Sequence, residues 1–317
     1  MTTKTKNTVC IISGPTASGK TSTSIALAKK FGGEIVNFDS LLFYQEITIG
    51  TAKPTIEEQD GVVHHMIDNH SLKEPLNAAQ YIKEALPIVE KLLSEDKIVF
   101  LVGGSGFYLQ ALLYGMFEFK TTSKEVIEKS EQLYQKAGIE PFIEILKEND
   151  HTSFEQYHAN DHYRVRRAVE HFWSTGEKLS DSRKNMDARR QQGPMLKNNW
   201  NVFNVYLDLP KEQHWEIIQQ RTKQMLQDGL VQEVEYLLNN GHSGEEKPLN
   251  SIGYKETVDF IRDKFENEED YIERINISTR QLAKSQRTWF KKLNHKVYHP
   301  LDDKKNIEDE FQLFLKK

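Results

Sequence analysis

An apolar run, a glycine-rich loop and a helix-forming segment follow one another between residues 9 and 28, and this order constrains the fold more than any other feature of the chain. Val9–Ile12 predicts a strand, and Ile25–Ala28 predicts the helix after the loop. The loop itself reads Gly14-Pro15-Thr16-Ala17-Ser18-Gly19-Lys20-Thr21. Such a loop directs backbone N–H groups and a helix N-terminus at one point, which suits a phosphate group. We therefore expect it to bind phosphates, with positive charge from Lys20 and the Thr21 hydroxyl as a ligand of Mg2+.

Three later apolar runs predict further strands, at residues 34–38, 98–102 and 202–209. A long amphipathic stretch at residues 77–94 predicts a helix that contains Pro87, and the chain after Pro210 is expected to be helical almost to its end. Strands that alternate with helices are typical of a mostly parallel sheet with helices on both faces. The predicted class is α/β, a three-layer core built on a phosphate-binding loop (P-loop).

The segment between the third and fourth predicted strands has helical periodicity and little strand pattern. Helices are expected at residues 124–136, 141–148 and 161–173, followed by a polar loop at 174–199. We interpret this segment as an inserted arm. The expected division is a catalytic core at residues 1–119 and 200–317, and an all-helical arm at residues 120–199.

Polar residues and glycines follow two of the predicted strands, where parallel sheets bind ligands. Asp39 and Ser40 follow residues 34–38, and Gly103-Gly104-Ser105-Gly106 follows residues 98–102. Asp39 is a candidate acceptor for a substrate proton, although Asp at such a place also caps helices. Ser105 is a candidate for a hydrogen bond to a ligand, or part of a plain turn. The glycines stand where a motor-type ATPase has a Mg2+-binding acid, which disfavours ATP hydrolysis but leaves a kinase open.

Composition and charge limit the classes of function. A single cysteine, Cys10, excludes an intrachain disulfide, and the chain has no long apolar run and no apolar N-terminal signal, so we expect a soluble cytoplasmic protein with no membrane partner. The formal net charge is −5, yet residues 274–296 hold seven basic residues and no acidic one. Arg280, Lys284, Arg287 and Lys291 fall on one side of a helix there. That side suits a nucleic acid, and a merely solvated face is the alternative.

Several motifs in order along the chain resemble those of one family, the tRNA dimethylallyltransferases, also called tRNA isopentenyltransferases. Besides the phosphate loop and the Asp39-Ser40 pair, they are Gly50-Thr51-Ala52-Lys53-Pro54, His64-His65-Met66-Ile67-Asp68, Gly103-Gly104-Ser105-Gly106-Phe107-Tyr108, Ile252-Gly253-Tyr254-Lys255-Glu256 and Thr279-Arg280-Gln281-Leu282-Ala283-Lys284. The resemblance implies transfer of a dimethylallyl group from dimethylallyl diphosphate to N6 of adenosine 37, in tRNAs that read codons beginning with U.

The resemblance also implies roles for individual residues. Asp39 is the base, Ser105 replaces the family's threonine, and the phosphate loop, Lys20, Arg221 and Mg2+ bind the diphosphate. The expected contacts with the tRNA anticodon stem-loop are Asp39, Ser40, Leu41, Leu42, Tyr163, Arg164, Val165, Arg166, Arg167, Ile252, Gly253, Tyr254, Lys255, Arg280 and Lys284.

Other readings of the same residues stay open. Phe43 lines the entrance for a base or belongs to the core. ATP at the loop would indicate a nucleotide or small-molecule kinase, and a prenyltransferase acting on free AMP is the nearer alternative. A non-catalytic nucleic-acid-binding module would have little use for the phosphate loop and the facing Asp39. We expect the protein to be a monomer.

Overall fold

The fold is a six-stranded parallel sheet with helices packed against it, together with a separate helical unit. It is described from a computed structural model at residues 7–115, 122–189, 193–293 and 295–316. Two compact units are formed by residues 1–113 with 198–317, here called the core unit, and by residues 114–197, here called the arm. The expected boundary between residues 119 and 120 falls outside the described residues.

All strand pairs of the sheet are parallel, which confirms the predicted class. The strands, in chain order, are β1 Thr8–Ser13, β2 Gly33–Asn37, β3 His64–His65, β4 Ile98–Gly103, β5 Asn201–Leu207 and β6 Lys296–Tyr298. Their spatial order is β3-β2-β4-β1-β5-β6. Because neighbouring parallel strands end at one edge, the loops after β1, β2 and β4 lie side by side.

The helices of the core unit pack on the sheet and on one another. They are α1 Lys20–Phe31, α2 Ile56–Gln59, α3 Ala78–Ser94, α4 Gly106–Tyr114, α11 Lys211–Gln227, α12 Leu230–Asn239, α13 Tyr254–Ile261, α14 Glu268–Phe290 and α15 Lys304–Phe314, with a 3-10 turn at Ile49–Thr51. Strands β1 and β4 are buried along their whole length, and the sheet packs on α1 and α15 through Leu27, Phe100 and Phe311. Helix α3 continues through Pro87, as the sequence predicts.

The arm consists of helices with a small core of their own. They are α5 Lys124–Ala137, α6 Glu140–Asn149, α7 His151–Gln156, α8 His162–Thr175, α9 Leu179–Arg189 and α10 Pro194–Lys197. Phe142, Val165 and Val169 are buried at its centre. The expected loop at residues 174–199 is wrong for its larger part, because α9 and α10 lie within it.

No helix among the described residues is long and apolar enough to cross a bilayer.

Candidate active site

The loop between β1 and α1 has the backbone conformation that its glycines predict. A Cβ atom on Gly14 would lie 2.4 Å from the carbonyl oxygen of Leu207, so no other residue fits there. Gly19 precedes α1 with φ 79°, in the left-handed region that favours glycine. Ala17 adopts φ 59° without being glycine, a conformation that costs about 1 kcal/mol or more. The loop is therefore a strained structure that its surroundings must hold.

A cavity of about 460 Å³ opens where the loops after β1, β2 and β4 meet. Its charged lining residues are Lys20, Arg221 and Asp39. The Lys20 ammonium donates to the Pro15 carbonyl at 2.8 Å, and an Arg221 guanidinium nitrogen donates to the Thr51 carbonyl at 3.3 Å. Two cations and one carboxylate leave one positive charge in excess, which favours an anionic ligand.

Burial disfavours the charged forms of Lys20 and Arg221, and it lowers the pKa of each. Burial lowers the pKa of Lys20 to about 8; Asp39 opposes the shift, and the nearby Arg221 adds to it. Burial also lowers the pKa of Arg221, and Asp39 again acts in the opposite direction. An anion bound nearby stabilises the charged form of such a cation, because it supplies the missing countercharge.

Asp39 and Ser105 belong to turns that fit closely against each other. The Asp39 N–H donates to the Asn37 side chain at 2.8 Å, and one Asp39 carboxylate oxygen accepts the Leu41 N–H at 3.3 Å. Asp39 thus caps a turn, and no helix follows it directly. The Ser105 hydroxyl accepts the Ser40 N–H at 3.1 Å and lies 3.2 Å from the Ser40 hydroxyl. The structure therefore brings Asp39, Ser40 and Ser105 together beside the phosphate loop.

Comparison with known proteins identifies the family of this chain. The family model described as IPP transferase matches residues 42–293. The chain is 35% identical over 310 residues to a tRNA dimethylallyltransferase of Desulfatibacillum aliphaticivorans, which covers 98% of this chain and 99% of the relative. It is 36% identical over 285 residues to the Bacillus cereus enzyme of the same name, covering 89% of this chain and 86% of the relative. The chain belongs to the IPP transferase family.

Solved structures from the family have the same fold. A tRNA isopentenylpyrophosphate transferase from Bacillus halodurans superposes with a TM-score of 0.70 at 28% identity, covering 98% of this chain and 97% of the other. A eukaryotic dimethylallyltransferase, crystallised acting on tRNA, superposes with a TM-score of 0.80 at 27% identity, covering 97% of this chain and 77% of the other.

The segments at residues 50–54 and 252–256 meet beside the cavity through Glu233, a residue that sequence reasoning missed. The Glu233 carboxylate accepts the N–H groups of Thr48, Ile49 and Gly50, at 2.5 to 3.3 Å, and the Tyr254 hydroxyl at 2.9 Å. The Gly50 N–H also reaches the Tyr254 hydroxyl at 3.0 Å. This cluster fixes the turn whose next carbonyl, that of Thr51, binds Arg221.

The expected tRNA contacts near residue 254 have different surroundings. Tyr254 is completely buried and its hydroxyl accepts the Gly50 N–H, so its side chain is not exposed for an RNA contact in this structure. Gly253 is buried as the N-cap of α13, Ile252 lines the cavity, and Lys255 is exposed.

Residues 40–43 divide between the cavity and the core. Ser40, Leu41 and Leu42 are half-buried and line the cavity. Phe43 is fully buried, with its ring centroid 5.5 Å from that of Tyr81, so of the two readings the core is the one that the structure confirms.

The basic side of α14 is only partly available to a partner. Arg287 forms an ion pair with Asp208 at 2.7 Å and also donates to His214, so its guanidinium is already engaged within the core unit. Arg280 pairs with Glu273 and stacks over the Trp215 ring. Lys284 is exposed.

The predicted contact stretch of the arm, residues 163–167, also divides. Val165 is 2% exposed and belongs to the arm core, so its side chain is not exposed for an RNA contact in this structure. Arg166 is largely buried, with its guanidinium 4.4 Å above the Tyr134 ring and 2.7 Å from a Glu131 oxygen. The residues that remain at the surface are Tyr163, 75% exposed, Arg164, paired with Asp161, and Arg167, paired with Glu170.

Proposed function

We propose that this chain transfers the dimethylallyl group of dimethylallyl diphosphate to N6 of adenosine 37 in tRNAs that read codons beginning with U, and releases pyrophosphate. The observation that carries the proposal is the cavity in which Lys20 and Arg221, in excess of the single carboxylate Asp39, lie beside the phosphate loop. Membership of the IPP transferase family supports the same reaction.

The phosphate loop and the two cations suit the leaving group. When the N6 lone pair attacks C1 of the dimethylallyl group, the C1–O bond breaks and its electrons pass to the diphosphate. Loop amides, Lys20 and Arg221 stabilise the charge that grows there, which is the arrangement that lowers a transition state most effectively.

Asp39 suits the role of the base. Adenine N6 is a weak nucleophile because its lone pair is delocalised into the ring, so its proton must be removed as the new N–C bond forms. One Asp39 oxygen is fixed by the Leu41 N–H, and the other accepts no hydrogen bond from the part of the chain that the structure describes. That second oxygen is free to take the N6 proton. The Ser105 hydroxyl, which accepts the Ser40 N–H at 3.1 Å and lies 3.2 Å from the Ser40 hydroxyl, can orient the turn that carries Asp39.

The residues present fit a Mg2+ ion bound chiefly through the diphosphate. Thr21 lines the cavity at the start of α1, and its hydroxyl makes no hydrogen bond to the described residues. Oxygen ligands of this kind, completed by phosphate oxygens and water, are those that Mg2+ prefers. When bound, the ion neutralises part of the diphosphate charge.

The anticodon stem-loop supplies the acceptor. Adenosine 37 lies in a single-stranded loop, so extruding its base costs less than in a duplex. Leu41, Leu42 and Ile252 give the cavity apolar walls against which a base can pack. The exposed cations Arg164, Arg167 and Lys284 suit the phosphates of the stem.

A prenylation assay tests the proposal. The purified protein, with Mg2+ and radiolabelled dimethylallyl diphosphate, should label an unmodified tRNA transcript and release pyrophosphate. A transcript with guanosine at position 37 and free AMP are the matched controls, and neither should be labelled. Labelling of AMP in preference to tRNA, or rapid ATP turnover without labelling of either, would contradict it.

An Asp39→Asn variant tests the role of the base within that assay. The amide keeps the shape of the side chain but cannot accept the N6 proton, so turnover should fall by about 10²-fold or more while tRNA affinity changes little. Turnover close to that of the wild type would remove Asp39 from this role.

A further inference from the structure

The peptide group of Thr16, in the phosphate loop, is held from both sides by side chains that are distant in sequence. Its N–H donates to the Gln286 side-chain oxygen at 2.8 Å. Its carbonyl oxygen lies 2.8 Å from Nε2 of His214. Helices α14 and α11 thus each contribute one hydrogen bond to a loop that follows β1.

The direction of each bond follows from its partners. The Arg287 guanidinium, 2.7 Å from His214 Nδ1, can only donate, so Nδ1 accepts and Nε2 carries the proton that it donates to Thr16. Arg287 is fixed in turn by Asp208, through bonds of 2.7 to 3.0 Å. His214 is completely buried, and this chain of contacts admits only its neutral form with Nε2 protonated.

Gln286 also reaches the opposite side of the cavity. Its amide nitrogen donates to the Gly104 carbonyl at 3.0 Å, in the turn that carries Ser105. A Cβ atom on Gly104 would lie 2.5 Å from that nitrogen and 3.4 Å from an Asp39 carboxylate oxygen. A single side chain therefore spans the space between the phosphate loop and the turns that hold Asp39 and Ser105.

These bonds act next to the strained part of the loop. Ala17, which follows Thr16 directly, has φ 59°, and such residues persist only where neighbouring structure fixes them. The N–H groups of the loop converge on a ligand only while this conformation lasts. Strands β1 and β4, which pair up to Ser13 and Gly103, bring the loop and the Gly104 turn side by side. Beyond the ends of the strands, the Gln286 side chain binds both segments.

We propose that Gln286 and His214 are positioning residues: they fix the Thr16 peptide by its N–H and its carbonyl, and Gln286 sets the spacing between the diphosphate and the base–acceptor side of the cavity. The proposal rests on the proposed function for its chemistry, but its structural content concerns the binding of a diphosphate alone.

A Gln286→Met variant removes both bonds of the amide at nearly constant volume and adds no charge. Gln281→Met, on the exposed side of the same helix, is the matched control. Affinity for inorganic pyrophosphate, measured by calorimetry, should fall about tenfold in Gln286→Met and stay unchanged in the control. Hydrogen exchange in the peptide that covers residues 14–21 should accelerate in Gln286→Met only. Equal affinity and equal exchange in the two variants would overturn the proposal.

His214 supplies a second pair of variants, which decides the matter if Gln286→Met does not fold. In His214→Gln the side-chain nitrogen replaces Nε2 as donor to Thr16, whereas His214→Phe cannot donate. Pyrophosphate affinity should be close to the wild type in the first and about tenfold lower in the second. Equal losses in both would refute a role through Thr16.

Turnover separates this proposal from the proposed function. In the prenylation assay Gln286→Met should lower kcat and leave the KM for tRNA within about twofold, because no tRNA contact is lost. If the wild type prenylates nothing while the pyrophosphate affinities differ as expected, the proposed function fails and the positioning role stands. If the wild type prenylates and the affinities do not differ, the positioning role alone fails.

Discussion

Replacing Tyr254 with phenylalanine should loosen the turn at residues 48–50. The Thr51 carbonyl, which follows this turn and accepts a hydrogen bond from Arg221, should become less well fixed as a result. The hydroxyl that is lost donates to Glu233 at 2.9 Å and accepts the Gly50 N–H at 3.0 Å. Gly50 keeps a longer contact with Glu233, at 3.3 Å, so the main loss is the bond to the carboxylate. A hydrogen bond to a charged group contributes about 1.5–3 kcal/mol, and the lower end applies here because the Glu233 carboxylate is only half-buried.

Glu233→Gln should cost more than Tyr254→Phe. The carboxylate accepts from three backbone N–H groups and one hydroxyl, whereas an amide offers a single acceptor oxygen and turns its NH2 group toward donors. Because several N–H groups lose their acceptor, a loss of about 2–4 kcal/mol is expected. The double variant should lose about 1 kcal/mol less than the sum of the single losses, because the two residues share a bond.

Hydrogen exchange is the assay, since the amides of Thr48, Ile49 and Gly50 are the groups that Glu233 protects. At about 1.5 kcal/mol, Tyr254→Phe should accelerate their exchange by roughly tenfold, while denaturant unfolding gives the global loss. The matched controls are Tyr236→Phe and Glu235→Gln, whose side chains are exposed on α12, the helix of Glu233. They should change neither the exchange at residues 48–50 nor the free energy of unfolding. Additive single losses, or exchange at residues 48–50 no faster than in the controls, would refute this reasoning.

Three further predictions concern other parts of the molecule. Arg164→Ala should weaken tRNA binding and reduce its salt dependence, whereas Arg166→Ala should mainly lower the unfolding temperature of the protein; filter binding at several salt concentrations and thermal unfolding distinguish them. Gly106→Ala should destabilise the fold by about 1–3 kcal/mol in denaturant unfolding, because the new methyl group would lie 2.2 Å from the Trp289 ring. Burial lowers the pKa of His214 from its ordinary value of 6.5. The neutral form therefore stabilises the fold above pH 6.5, and this stability is lost as the pH falls through the lower folded-state pKa. The unfolding temperature should drop between pH 7.5 and about 5.5 in the wild type, and drop less in His214→Gln.

The features that the sequence predicted correctly depend on local pattern. The strand, loop and helix around residues 14–21 were predictable because the glycines have few alternatives, as the 2.4 Å approach of Leu207 to Gly14 illustrates. The convergence of Asp39, Ser105 and the phosphate loop followed from the parallel order of β1, β2 and β4. Their chemical roles stay predictions until the assays above are done.

The features that were missed depend on contacts between distant segments. Strands β3 and β6 are two and three residues long, too short for a periodicity, and exist because a neighbouring strand pairs with them. Helix α9 is polar and has almost no amphipathic pattern. Arg287 could not be told from its neighbours on α14, because the acid that pairs with it, Asp208, is 79 residues away.

The hydrogen bonds from Gln286 and His214 to Thr16 have a consequence for how the protein is synthesised. Thr16 leaves the ribosome early, and Gln286 is synthesised 270 residues later. At roughly 5–20 residues per second, the phosphate loop waits about 15–50 s for the side chain that completes its support. Until then a nascent chain with an assembled β1 and α1 carries the sequence of the proposed diphosphate site without its full support. An interrupted translation product should therefore neither bind prenyl diphosphate nor modify tRNA.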